Sequence, residues 1–221
     1  MVESFAVTDC ALVAIATGEK AESLRELHDR LRRIDDPGIM YFHFWGGLLR
    51  PHFVDPEYQN DFASWAYHSL HDRRLAERLS VINPTRFERM DRLRHRLIEV
   101  VEDRMDEPDF DPRIDGEAPF FFLRAQIVVF DTRIRIEQPE GMARHIRSMT
   151  PGSLFYHFID ARRRTESRRD DFSEWLRTFG DGYIALADRI RAVDPYFTSL
   201  LELRAELASV FERHLPKGED E

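Results

Sequence analysis

The segment Pro37-Gly-Ile-Met-Tyr-Phe-His-Phe-Trp-Gly-Gly-Leu-Leu-Arg50 returns later as Pro151-Gly-Ser-Leu-Phe-Tyr-His-Phe-Ile-Asp-Ala-Arg-Arg-Arg164. Each copy is followed by Asp-Phe-x-x-Trp, at Asp61 to Trp65 and Asp171 to Trp175. This repeat constrains the fold more than any other feature, because whatever packs around the first copy has a counterpart around the second. The Pro-Gly pair opens a helix in each copy, since proline suits the first helical position, where its missing N–H has no intrahelical role. Aromatic residues lie on more than one side of that helix, so it is expected to be central and covered on several faces.

The flanking segments extend the pairing. Phe5 to Ile15 and Phe120 to Phe130 are apolar with partial alternation, and Thr132-Arg-Ile-Arg-Ile136 alternates strictly. With Thr17-Gly18 read as a turn, these segments predict a short β-hairpin opening each module. A helix over Cys10 to Ile15 is the alternative. Ser23-Leu-Arg-Glu26 is a capping-box pattern that predicts a helix to about Ile34. Leu75 to Pro84 and Leu186 to Pro195 predict short helices, each followed by a longer one that buries Phe87, Met90 and Leu93, or Phe197, Leu200 and Leu203. Glu102 to Glu117 holds eight acidic residues against two arginines and reads as a linker. The expected fold is therefore mainly α. It has two tandem repeats of a helical module, each opened by a β-hairpin, packed with pseudo-twofold symmetry. The expected boundaries are 1–104 and 119–215 for the modules, 105–118 for the acidic linker and 216–221 for a disordered tail.

Composition excludes some partners. The formal charge of −9 opposes non-specific binding to nucleic acid or an anionic membrane. The single cysteine, Cys10, permits no intramolecular disulfide, which fits a reducing compartment. The N-terminal segment lacks a signal-peptide pattern and no apolar run is long enough to span a bilayer, so a cytoplasmic protein is expected.

Thr17-Gly18, Leu24 to Leu27, Tyr41 to Phe44, Asn60 to Trp65, Leu75 to Leu79 and Leu93 to Glu102 together form a pattern that covers essentially the whole chain. In this pattern the chain resembles a family of bacterial and archaeal proteins of unknown function, often duplicated in this way. The second copy departs from it at Thr132-Arg133 and Arg169-Asp170. The resemblance implies a duplicated, mainly helical module and no particular activity.

The candidate site residues are the polar groups that recur: His43 and His157 in the aromatic helix, Asp61 and Asp171 at the start of the next, and Arg50 and Arg164 between them. A His–Asp pair orients an imidazole and raises its pKa. Two such pairs brought together would make an acid–base or metal site, whereas each alone is a satisfied core histidine. Arg50 and Arg164 suit an anionic or phosphorylated ligand. His68-x-x-His71 with His52 could ligate a metal, or could simply lie on a solvated helix end. Arg162, Arg163, Arg164, Arg168 and Arg169 form a basic cluster interleaved with Glu166, Asp170 and Asp171, which favours an internally paired surface. No phosphate loop, dinucleotide fingerprint, nucleophile elbow or zinc motif is present. The expected function is a non-enzymatic protein-binding or regulatory module, monomer or homodimer, with no cofactor and no resident metal. The alternatives are a metal- or ligand-dependent enzyme built on the repeated His and Asp, and a binder of an anionic metabolite.

Overall fold

The computed structural model describes residues 2–50, 57–111 and 114–215. His52, Pro112 and the 216–221 tail lie outside the described residues. The chain is mainly helical, with one two-stranded sheet made of β1 (Phe5–Ser23) and β2 (Asp115–Ile136). Thr17 on β1 bonds Phe122 on β2, and Thr132 on β2 bonds Val7 on β1, so the register runs in opposite directions and the strands are antiparallel.

This sheet corrects the expectation of two repeats each opened by its own hairpin. Thr17-Gly18 is not a turn. Gly18 does adopt the left-handed φ of 83° that a turn would use. The Thr17 hydroxyl, however, donates to the Phe122 carbonyl (2.7 Å) and accepts from the Glu19 N–H (3.1 Å), and the strand continues. That is a β-bulge, one extra residue that bends a strand without ending it. Thr132 repeats it on β2: its hydroxyl donates to the Val7 carbonyl (2.5 Å) and accepts from the Ile134 N–H (3.2 Å), with Arg133 at φ 63°. Cys10 to Ile15 is strand as well, so the helical alternative also fails.

The chain divides into two compact units, one continuous and one assembled from two separate stretches. A central unit takes Leu12–Gln126; a terminal unit takes Met1–Ala11 and Ile127–Glu221. Each strand therefore contributes to both units.

In the central unit, α1 (Leu24–Arg33) starts where Ser23 caps the Glu26 N–H and buries Leu24, Leu27 and Leu31 against α5 (Met90–Met105). Helix α2 (Pro37–Trp45) is buried from Ile39 through Trp45, as its all-round apolar pattern requires. Helix α3 (Asp61–His68) packs on α4 (Arg73–Ser80).

In the terminal unit, α6 (Met142–Ser148) packs on α11 (Leu200–His214) and α9 (Asp171–Arg177) on α10 (Ile184–Arg191). The counterpart of α2 is α7 (Pro151–Leu154), a π-helical stretch (Phe155–Asp160) and α8 (Ala161–Arg164).

The long helices begin later than expected. Asn83-Pro84 starts only a 3-10 turn, and α5 begins at Met90. Helix α11 begins at Leu200 behind a complete Ser199–Glu202 capping box, which leaves Phe197 exposed rather than buried. No helix among the described residues is long and apolar enough to cross a membrane.

Candidate functional site

In the central unit, Asp36 caps α2 by accepting from the Gly38 N–H (2.8 Å), and the helix carries His43 into the core at 3% exposure. Asn60 caps α3 by accepting from the Ala63 N–H (2.9 Å), which places Asp61 on the first turn. His43 Nδ1 meets Asp61 Oδ2 at 2.8 Å. On the other side of the ring, His43 Nε2 accepts the backbone N–H of Leu123 on β2 (3.0 Å). An imidazole nitrogen that accepts an amide proton carries none itself, so Nδ1 holds the hydrogen and the ring is neutral. Burial pushes the His43 pKa below its ordinary value and outweighs the opposite pull of Asp61, so the rise expected from the pairing does not occur. The Asp61 carboxyl is opposed by its own burial, yet the hydrogen bond from His43 and the adjacent Arg50 guanidinium hold it below the usual range. Arg50 grips both carboxylate oxygens at 3.1 Å and lies over the Phe42 ring at 4.9 Å. Phe62 and Phe120 wall the imidazole.

The terminal unit repeats the arrangement. His157 Nδ1 meets Asp171 Oδ2 at 2.7 Å, and Nε2 accepts the Thr8 N–H of β1 at 2.8 Å. Arg164 bonds Asp171 and lies over the Tyr156 ring at 4.0 Å. Phe5 and Phe172 wall the ring. The tryptophans follow suit: the Trp65 indole N–H donates to Ala118 on β2 (2.8 Å) and that of Trp175 to Glu3, just before β1 (2.9 Å).

The six sequence-predicted residues therefore assemble as two trios, His43–Asp61–Arg50 and His157–Asp171–Arg164, each closed within its own unit. Both nitrogens of each imidazole are occupied. Such a ring ties a strand to two helices, and it has no lone pair to offer a proton or a metal unless a main-chain bond breaks. Among the described residues, no group of three or more His, Cys, Asp and Glu could hold a metal ion. His68 and His71 do not share a helical face, because α3 ends at His68 and His71 sits at φ 54°, paired with Glu117. Within the basic cluster, Arg162 donates to the Arg191 and Val193 carbonyls, Arg163 pairs with Asp160 and Arg169 with Glu174.

Sequence reasoning missed the third partners, the amides of Thr8 and Leu123. A main-chain N–H carries no residue-type signal; the one available clue was that each histidine had a single obvious side-chain partner for two ring nitrogens. It also missed Asp160, buried at the end of the π-helical stretch and paired with Arg163 and Arg164. Cys10 is buried, donates to the Gly152 carbonyl (3.2 Å), and has its thiol pushed up to about 12 by burial and then by Asp160 and Asp9. Burial and a protonated thiol both disfavour the thiolate.

Residues 2–212 match a family of unknown function, DUF5752, and the chain belongs to that family. The structure is similar to that of OrfY from Thermoproteus tenax, with a TM-score of 0.78 and 28% sequence identity over 96% of this chain and 95% of that one. No match was found among curated proteins.

Proposed function

We propose that this member of the family is a non-enzymatic binding module that recognises protein. The observation that carries the reading is on β2. Successive strand residues point to opposite faces, yet Val128, Val129 and Phe130 are all exposed. Both faces of the strand are bare there, with large apolar side chains on each. Uncovered apolar surface of this kind marks interaction sites. The interior of each trio supports the same reading from the other side, because its polar groups are spent on holding strand to helix. The recurrence of that trio, with its strand amide, tryptophan and bulge, supports an origin by duplication of one module.

The test compares two baits in a native lysate, the full chain and its Phe130→Asp variant. Proteins retained by the first and lost with the second are the expected outcome. Identical captures from both baits would remove β2 as the binding surface and with it this reading.

A further inference from the structure

We infer that the bare segment of β2 in the terminal unit pairs with the same segment of a second copy of this chain, edge to edge. This inference rests on the binding-module reading and names its partner. The two edges of the sheet are treated differently in this unit. The β1 side is capped, since the Thr8 N–H goes to His157 and the Glu3 carbonyl to Trp175. Among the described residues, no hydrogen bond beyond the strand pairing reaches the backbone of Val128, Val129 or Phe130.

Natural sheets blunt an open edge with charge, proline or a bulge. Val128-Val-Phe130 contains neither charge nor proline, and the bulge comes only at Thr132-Arg133. The next charge, Asp131, is held by both Nη atoms of Arg135 (2.9 and 2.8 Å), so no unpaired carboxylate guards the edge.

A second copy fits for two reasons. An antiparallel edge offers alternating donors and acceptors, and the same edge rotated by a twofold axis is its complement. The sheet would grow from two strands to four, past the size at which a ribbon is marginal in water. The area is also adequate. Val128, Val129, Phe130 and Ile134 are 41%, 52%, 52% and 44% exposed. They leave roughly 350 Å² of apolar surface on the two faces, of which edge pairing covers the flanks together with the main chain, and this places the contact at the lower end for specific association.

The test is sedimentation velocity on the full chain from about 1 to 100 µM, a range over which a weak homodimer forms and dissociates. The expected result is a concentration-dependent dimer that Phe130→Asp abolishes without moving the thermal melt. Val129→Lys, also at an exposed position, decides the matter if the first variant misfolds. A monomer throughout, open-ended aggregation, or a dimer that both variants leave intact overturns the proposal. If the chain is monomeric while the two lysate baits still differ, self-pairing alone has failed and the binding-module reading stands.

Discussion

Gly152 offers the sharpest test of how β1 enters the terminal unit. It sits in the first turn of α7, and a methyl group built there would overlap the Cys10 carbonyl oxygen and the Asp9 carboxylate. The carbonyl belongs to strand backbone and cannot swing aside. Gly38 holds the matching place in α2. There the nearest atoms to an added methyl are the Asp36 Oδ1 at 3.0 Å, the tip of the capping side chain, which can shift slightly and keep its bond, and the Ala125 carbonyl at 3.5 Å, an ordinary contact. Alanine in place of glycine favours a helix by up to about 1 kcal/mol at either site. At Gly38 that gain and the small shift of Asp36 nearly cancel, leaving Gly38→Ala within about 0.5 kcal/mol of the parent. At Gly152 overpacking against backbone costs about 1–3 kcal/mol, and displacing the strand also strains the Thr8–His157 bond. A net loss of about 2 kcal/mol is expected, equivalent to a melting point lower by about 4–8 °C in a chain of this size. Urea titrations of both variants, followed by circular dichroism and tryptophan fluorescence, measure the contrast. Equal stability of the two would mean that β1 does not cross the helix start at this distance, and the account of the terminal unit would fall with it.

Two further outcomes follow from the geometry. His43 is neutral when folded and takes a proton more readily when unfolded, so its stabilising effect is full above the ordinary histidine value of about 6.5 and is lost as pH falls below it. The depressed Asp61 adds a second loss below about pH 4. The stability gap between the parent and His43→Gln should therefore narrow from pH 7.5 to pH 5; a widening gap would mean that the ring is charged in the fold. Arg133 holds a left-handed φ that Gly18 holds on the other strand. Arg133→Gly should stabilise by about 1 kcal/mol, read as a rise of about 2–4 °C in the melt, and a fall would show that the Arg133 side chain contributes to the bulge.

Much of this was legible in the sequence, for local reasons. Ser23, Asn60 and Asp170 cap helices where residue type and spacing say they should. The recurrence of His and Asp brought each pair together on paper, but Arg50 and Arg164 were read as anion ligands, and they bond Asp61 and Asp171 instead. What failed was non-local. Thr17-Gly18 has the chemistry of a turn, and a left-handed glycine serves a hairpin or a bulge equally well. The choice depends on whether a partner strand continues past it, and that partner lies a hundred residues away in β2. The same limit hid the amides of Thr8 and Leu123.

The division of both strands between the units sets an order of events during synthesis. The central unit ends at Gln126, so it can close soon after β2 leaves the ribosome. The terminal unit cannot. Thr8 and His157 are separated by 149 residues, and Glu3 and Trp175 by 172. Phe5 waits for His157 and Phe172, far along the sequence, before it can be buried. Closing a loop of that length is entropically costly before it is rewarded, so this step is slow. Until it happens, a later stretch of the sequence is folding onto an earlier one, and the segment from Phe5 to Ala11 stays uncovered.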